Sequence, residues 1–273
     1  MGLKFRKMHG CGNDFVILDF RSESEDLSNA RIMQICDRHI GVGCDQLVII
    51  EPSEKADVKV IFYNSDGSMS GACGNASRCV ADIIMRENNL EECSLETDAG
   101  ILRAWRVDEE TIKVDMGQPR LGWQDIPLSE ERDTLMLMLD EKSKNPAVAV
   151  NMGNPHCVLF VEDAEDALVE RIGPKVENHP LFPQRTNVEF VQQLEGNRFR
   201  QRTWERGAGE TLACGSGACA VAVAAISRDL IDGREVEIIL NGGKLSIEWS
   251  ESDSHVYMTG PIEYVFEGQL SLT

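Results

Sequence analysis

The chain has 273 residues, a hydrophobic content of 42% and a net charge of −19. These values fit a globular protein of one large or two modest domains, and the negative charge argues against binding to nucleic acid or to anionic membrane surfaces. The sequence contains no run of 18 apolar residues, so it does not predict a transmembrane helix. The N-terminal residues lack the apolar core of a signal peptide. We therefore expect a cytoplasmic protein that acts on a small molecule, with neither nucleic acid nor membrane as partner.

The first half of the chain alternates short strand patterns with two helical patterns. In chain order we predict strands at Lys4–Met8 and Phe15–Phe20, a helix over Ser28–His39 capped by Ser28, strands at Leu47–Glu51 and Val58–Tyr63, a turn at Asn64–Ser68, a helix over Gly74–Glu87, and a meander of short strands over Ser94–Asp115.

The second half runs in the same order. We predict strands at Val148–Val150 and Cys157–Val161, a helix over Asp166–Glu177, strands at Asn187–Val191 and Phe199–Trp204, a turn at Arg206–Gly209, a helix over Gly215–Asp229, a hairpin over Glu235–Glu248 around Asn241-Gly242-Gly243, and strands at Val256–Met258 and Tyr264–Phe266.

The helix after Cys214 is apolar on every face, whereas its counterpart in the first half carries Arg78 and Asp82. An all-round apolar helix is buried on all sides. We therefore predict an α/β (α+β) fold of two similar, pseudo-symmetric domains, each a curled mixed sheet around a central helix, with the active site in the cleft between them. The boundary is expected within Gly117–Asn145, which gives an N-terminal half of residues 1–117 and a C-terminal half of residues 118–261.

The two halves match at a constant offset of 141 residues. The offset pairs Asn13 with Asn154, Gln46 with Asn187, Asn64 with Glu205, Cys73 with Cys214, and Gly74 with Gly215. Two matched thiols suit the transfer of a proton from one face of a carbon atom to the other. The nine cysteines are odd in number, spread along the chain and without a CxxC pair, so neither a disulfide framework nor a structural zinc site is expected.

Cys73 and Cys214 each directly precede a predicted helix. Unpaired backbone N–H groups and the helix dipole at that position favour thiolate over thiol, and the same N–H groups could hold a carboxylate. The structural alternative is that a tight strand-to-helix turn simply needs a small residue. We would favour this explanation for a single cysteine, but two cysteines at matched positions of a repeat favour a function. His156 lies beside Asn154, and Glu205 and Arg206 precede the second cysteine turn; a solvated turn ion pair is the structural alternative for these two.

These residues together form a recognisable set of motifs. HGCGNDF (His9–Phe15), NSDGS (Asn64–Ser68), ACGNASR (Ala72–Arg78), MGNPHCV (Met152–Val158), TNVEFV (Thr186–Val191) and WERGAGETLACGSGA (Trp204–Ala218) closely resemble the diaminopimelate epimerases, in order and over nearly the whole chain. Three positions depart from the usual family pattern: Ala72 and Ala76 stand where the family usually has Met and Gly around Cys-Gly-Asn, and Ser216 replaces a threonine.

The resemblance implies cofactor-independent epimerisation of LL-2,6-diaminopimelate to meso-diaminopimelate in lysine and peptidoglycan-precursor biosynthesis, without a bound metal. It implies that the last strand, within residues 262–273, returns to the first domain. Cys73 and Cys214 would be the acid/base residues, and His156 and Glu205 would adjust the cysteine pKa values. The residues that would bind substrate are Asn13, Gln46, Asn64, Gly74, Asn75, Asn154, Asn187, Glu205, Arg206, Gly215 and Ser216. A homodimer is one assembly that the sequence allows.

Three other functions remain open at this point. A proline or hydroxyproline racemase of the same fold class would also use two cysteines, but it gives no role to Asn64, Asn187 and Arg206, which suit a substrate with a second amino-acid end. A cysteine hydrolase or thiol peroxidase would leave the doubled Cys-Gly turn unexplained. In a non-catalytic amino-acid-binding protein, both cysteines could be replaced by serine without loss of function.

Overall fold

The computed structural model describes residues 2–23, 25–140 and 145–271, and the chain divides into two compact units. Unit 1 comprises Met1–Val114 with Gly260–Thr273, and unit 2 comprises Asp115–Thr259. Among the described residues, no helix is long and apolar enough to cross a membrane.

Unit 1 is built from eight strands that begin in its first segment, two helices, and the last strand of the chain. Its elements are β1 (Leu3–Gly10), β2 (Asn13–Asp19), α1 (Asn29–Cys36), β3 (Gln46–Glu51), β4 (Val58–Asn64), β5 (Met69–Ser70), α2 (Gly74–Asn88), β6 (Glu92–Thr97), β7 (Gly100–Arg106), β8 (Thr111–Asp115) and β17 (Glu263–Leu270).

Unit 2 repeats this series. Its elements are β9 (Val148–Asn151), β10 (Pro155–Phe160), α3 (Val169–Glu177), β11 (Asn187–Gln193), β12 (Arg198–Glu205), β13 (Gly209–Thr211), α4 (Gly215–Ser227), β14 (Glu235–Leu240), β15 (Gly243–Trp249) and β16 (Val256–Pro261).

The strand pairings of the two units are the same in order and direction. In unit 1, β1–β2, β3–β4, β4–β5, β6–β7 and β7–β8 are antiparallel, whereas β2–β3 and β4–β6 are parallel. In unit 2, β9–β10, β11–β12, β12–β13, β14–β15 and β15–β16 are antiparallel, whereas β10–β11 and β12–β14 are parallel. The register also follows the offset of 141, since Phe15 pairs with Gln46 and His156 pairs with Asn187.

Each unit places one helix at its centre. Helix α4 is buried from Gly215 to Ile226 except at Ser216 and packs against β9, β10, β11, β14 and β15. Helix α2 is buried from Gly74 to Met85 and packs against β1, β2, β6 and β7. The prediction of curled mixed sheets around a central helix is therefore confirmed for each unit.

Two charged residues lie in the buried part of α2, and both have partners. Asp82 has a fully buried side chain and accepts hydrogen bonds from Arg86 Nε at 2.8 Å and from Arg106 Nη1 at 2.7 Å. Arg78 is also buried and donates to the carbonyl of Pro261 at 3.4 Å. These contacts explain how a helix with two buried charges occupies the same central position as the apolar α4.

The predicted elements are confirmed in type and order, with four local differences. Ser28 caps α1 as predicted, but the helix ends at Cys36 rather than at His39, where Asp37 leaves the helical backbone region. Helix α3 begins at Val169 rather than at Asp166, and it accommodates Pro174 in its last turns. The short strands β5 and β13 were not predicted, because two or three residues cannot show an alternating pattern.

Candidate functional site

Cys73 is placed by the start of the central helix of unit 1. It is the N-cap residue of α2, with an extended backbone (φ −146°, ψ 108°), and its side chain does not cap the helix. Its Sγ atom lies 3.9 Å from Asn13 Oδ1, which also accepts a hydrogen bond from Asn75 Nδ2 at 3.2 Å. The cysteine, the two amides and the first N–H groups of α2 therefore form one polar cluster.

Gln46 and Asn64 lie at the same edge of the unit 1 sheet as Asn13. Asn13 begins β2 and Gln46 begins the parallel strand β3, while Asn64 ends the antiparallel strand β4. Gln46 Nε2 donates to Asn64 Oδ1 at 2.9 Å, and Asn64 Nδ2 donates to Ser68 Oγ at 3.0 Å. The amides are thus held in fixed orientations by one another and by the turn that follows β4.

Cys214 occupies the equivalent position in unit 2. It is the N-cap residue of α4, with a similar extended backbone (φ −122°, ψ 108°). The prediction that both cysteines directly precede a helix is therefore confirmed. Cys214 Sγ lies 3.6 Å from Ser216 Oγ, and the residue is 6% exposed.

The electrostatic surroundings of Cys214 correct one expectation from the sequence. Burial raises the pKa of the Cys214 thiol well above its usual value, the carboxylates of Glu205 and Glu189 raise it further, and the hydrogen bonds of Ser216 and the Gly217 N–H lower it only in part. The helix start alone predicted a lowered pKa. That prediction is wrong for Cys214 in this structure, because desolvation and two nearby negative charges outweigh the helix-end donors.

Asn187, Glu205 and Arg206 meet at one end of the unit 2 sheet. Asn187 Nδ2 donates to the Pro155 carbonyl at 3.0 Å, and its Oδ1 accepts from the Arg206 backbone N–H at 2.9 Å. Glu205 Oε1 accepts from Thr211 Oγ1 at 2.5 Å. Asn187 therefore ties the start of β10 to the turn that carries Arg206.

The guanidinium of Arg206 lies beside a second arginine. Its Nη1 donates to the Gln184 carbonyl at 3.0 Å. Burial lowers its pKa, the neighbouring Arg185 lowers it further, and Glu177 partly offsets both. Two neighbouring guanidinium groups at the end of a sheet are suited to binding a carboxylate.

His156 contacts two residues: Asn154, which the sequence predicted as part of the site, and Glu189, which it did not. The ring is fully buried, with Nε2 at 2.9 Å from Asn154 Oδ1 and Nδ1 at 2.7 Å from Glu189 Oε1. Glu189 is also fully buried, on β11. The signal that could have revealed it is a lone charge within the otherwise apolar run Val188–Val191, where the offset of 141 places Val48 in the first half.

The other seven cysteines are all buried. Burial raises the pKa of Cys11, Cys79, Cys93 and Cys157. Cys36 and Cys44 are adjacent and hydrogen-bonded to each other. No group of three or more His, Cys, Asp or Glu side chains in the described ranges is arranged to hold a metal ion.

A family model described as diaminopimelate epimerase matches residues 5–122 and again residues 148–265. The chain is similar to the diaminopimelate epimerase of Acidiphilium cryptum, with 50% identity over 97% of this chain and 95% of that protein. It is also similar to that of Rhodospirillum centenum, with 49% identity over 99% of this chain and 93% of that protein.

Solved structures of lower identity share the fold. A hydroxyproline epimerase from Agrobacterium vitis, with trans-4-hydroxy-L-proline bound, has a TM-score of 0.72 at 14% identity, covering 99% of this chain and 91% of that one. A phenazine biosynthesis protein of the PhzF family from Bacillus anthracis has a TM-score of 0.72 at 18% identity, covering 100% of both chains.

Proposed function

This chain belongs to the diaminopimelate epimerase family, and on that premise we propose that it is an isomerase that interconverts LL- and meso-diaminopimelate in lysine biosynthesis, with Cys73 and Cys214 as its two acid/base residues. The observation that carries the proposal is the paired N-cap position of the two cysteines at the starts of the equivalent helices α2 and α4. Identity of about half over nearly the full chain supports the substrate.

The proposed reaction exchanges one proton at the α-carbon and needs no cofactor. One cysteine, as thiolate, removes the α-proton; the other, as thiol, delivers a proton to the opposite face of the resulting carbanion. The first sulfur ends as thiol and the second as thiolate, so the reverse reaction exchanges their roles. General acid/base steps of this kind typically contribute roughly 10²- to 10⁴-fold each.

The carbanion needs electrostatic stabilisation, because no electron sink takes part. We assign this role to the N–H groups at the starts of α2 and α4, which would hold the reacting carboxylate and stabilise the charge that develops next to it. Gly74, Asn75, Gly215 and Ser216 supply these first-turn positions. Asn13 and Asn154 would orient the reacting end: Asn13 begins β2 and lies 3.9 Å from Cys73 Sγ, and Asn154 directly precedes β10 and contacts His156.

The distal end of diaminopimelate is a second amino acid, and the remaining polar residues suit it. Gln46, Asn64, Asn187 and Glu205 offer amide and carboxylate groups for the distal ammonium, and Arg206 offers a planar guanidinium for the distal carboxylate. A proline-type racemase has no use for such a set. The likeness to the hydroxyproline epimerase structure, at 14% identity, concerns the fold alone.

The test is α-proton exchange of LL-diaminopimelate in D₂O, followed by proton NMR. The starting protein should exchange the α-proton and form the meso isomer, whereas Cys73→Ala and Cys214→Ala should each lose epimerisation while keeping the circular dichroism spectrum of the folded protein. Near-normal turnover by either variant would refute the two-cysteine scheme. Turnover of L-proline or trans-4-hydroxy-L-proline at a rate equal to that of diaminopimelate would favour the racemase alternative.

We also propose that the protein acts as a homodimer in the cytoplasm. Strand β17 pairs with β1, and it exposes Tyr264, Val265 and Phe266 by 39%, 51% and 48%. Three consecutive exposed apolar side chains are suited to burial against a second copy. Sedimentation equilibrium, which gives the mass in solution, tests this assembly, and a monomer at every concentration would refute it.

A further inference from the structure

The sheets around the two central helices differ in the polarity of their buried side chains. Unit 2 buries four polar side chains there: His156, Glu189, Gln201 and Thr203 are all 2% exposed or less. The offset of 141 places Phe15, Val48, Val60 and Phe62 at the equivalent positions of unit 1, and these are equally buried. Because the apolar set builds the same strand order, the polar set is not required by the fold.

Glu189 is the costliest member of this polar set. A buried carboxylate loses its hydration, and it commonly stabilises a protein no more than an apolar residue of similar volume would. Its Oε1 atom accepts the 2.7 Å hydrogen bond from His156, while Oε2 is buried without a hydrogen-bond partner among the described residues. A residue with this cost and this incomplete bonding calls for a role other than stability.

The carboxylate of Glu189 lies next to Cys214. A Cβ atom added at Gly217, in the first turn of α4, would lie 2.8 Å from Glu189 Oε1, 3.2 Å from Cys214 Sγ and 3.2 Å from Gln201 Nε2. Three polar side-chain atoms therefore surround one small space, which only a glycine leaves open. The sulfur and the carboxylate oxygen lie close enough to interact electrostatically through this space, with little water between them.

We propose that Glu189 is a positioning residue of the reaction, which orients His156 and holds Cys214 as the thiol in the resting protein, so that Cys214 begins the cycle as the proton donor. This inference rests on the proposed role of Cys214. It adds a residue to the site, assigns a resting protonation form to one of the two sulfurs, and makes the two halves of the repeat chemically unequal.

The groups around Cys214 support this direction. Negative charge comes from Glu205 on β12 and Glu189 on β11. Burial alone raises the pKa of the Cys214 thiol, and these two carboxylates raise it further. Glu189 in turn contacts His156 on β10, and it raises the pKa of the buried Cys157 on the same strand. The opposing groups are the hydroxyl of Ser216 and the N–H of Gly217, both in α4. Glu189 is the one charged contributor that is completely buried, so bulk solvent screens it least.

The test is the pH profile of kcat/KM for epimerisation of diaminopimelate, measured for the starting protein, Glu189→Gln and Glu189→Asp. The high-pH inflection reports the ionisation of the acid in the free enzyme. In Glu189→Gln, which keeps the shape and removes the charge, this inflection should move to lower pH by about one unit or more, since a unit charge within a few ångströms in a screened protein interior is worth at least that much. We expect kcat to fall about tenfold or more with KM little changed, as for loss of a transition-state interaction. Glu189→Asp should restore the position of the inflection.

A second variant separates chemistry from folding. His156→Phe combined with Glu189→Val reproduces the packing that Phe15 and Val48 have in unit 1, so it should unfold at a urea concentration no lower than the starting protein does, yet lose most of its turnover. An unmoved inflection in Glu189→Gln, or normal turnover by the double variant, would overturn the inference. An active Cys214→Ala variant would refute the proposed function itself. If Cys214→Ala is inactive but Glu189→Gln behaves like the starting protein, only the role of Glu189 is refuted.

Discussion

Gly217 provides a sharp test of how tightly the Cys214 cluster is built. The residue lies in the first turn of α4, and a methyl group at this position would meet Glu189 Oε1 at 2.8 Å, closer than real Cβ atoms approach, as well as Cys214 Sγ and Gln201 Nε2 at 3.2 Å. All three neighbours are buried, so none can swing into solvent. We therefore predict that Gly217→Ala displaces the carboxylate, the sulfur or both.

Two opposing terms set the change in stability. Alanine in place of glycine in a helix gains roughly 0.5–1 kcal/mol of unfolding free energy. Overpacking a well-packed interior costs typically about 1–3 kcal/mol. We expect a net loss of about 1 kcal/mol, which leaves the protein folded. A misplacement of about 1 Å at a reacting group costs roughly 10²-fold in rate, so turnover should fall far more than stability does.

Unit 1 supplies the matched control, because Ala76 is the residue equivalent to Gly217. Ala76 is fully buried in α2, and Ala76→Gly removes a methyl group there without adding a contact. It should lose about 1 kcal/mol of unfolding free energy and keep turnover near that of the starting protein. The assays are urea denaturation and α-proton exchange in D₂O. Full activity in Gly217→Ala, or an equal loss of activity in both variants, would refute the reasoning.

Two further predictions concern stability. Burial raises the pKa of Asp14, but hydrogen bonds from Arg38 and Lys7 outweigh it and lower this pKa from 3.8 to about 2; because the folded value lies below the unfolded one, Asp14 contributes about 2 kcal/mol above pH 4, which is lost as the pH falls toward 2. Urea denaturation of Asp14→Asn across this range should show a flatter pH dependence, and an unchanged slope would contradict the assignment. Asp82→Ala leaves two arginines without their buried partner and should lower the free energy of unfolding by about 3 kcal/mol; a loss below about 1 kcal/mol would show that the pair behaves as an exposed one.

Local patterns predicted most of the fold. Alternation of apolar residues in Val58–Tyr63 and the all-round apolar character of the helix after Cys214 identified a strand and a central helix, which the structure confirms. The hairpin prediction at Asn241-Gly242 is confirmed as well, with Leu240 paired to Gly243. These features depend on neighbours in the sequence, so the sequence alone could reveal them.

The chemistry of the second cysteine depends on residues far apart in the chain, and sequence reasoning failed there. A helix start predicted a lowered pKa for Cys214, but Glu189, Glu205 and burial of the sulfur together raise it. These carboxylates reach Cys214 from β11 and β12, and no local pattern indicates that approach. A comparison of the repeats, position by position, would have singled out Glu189, because its equivalent is Val48.

The inequality of the two halves has a mechanistic reason within the proposed reaction. A two-base exchange works only when one sulfur is protonated and the other is not, and two identical thiols would populate both singly protonated forms equally. A fixed negative charge next to Cys214 favours the form in which that sulfur keeps its proton. Because the equilibrium between LL and meso isomers belongs to the substrate alone, Glu189 cannot favour product; it changes only which isomer the free protein is ready to bind and convert at a given pH. Because the same equilibrium fixes the ratio of kcat/KM in the two directions, removing the charge must alter both values by the same factor; the informative change is in the pH dependence, and a high-pH inflection that stays in place in both directions would mean that Glu189 acts on something other than the protonation of the free protein.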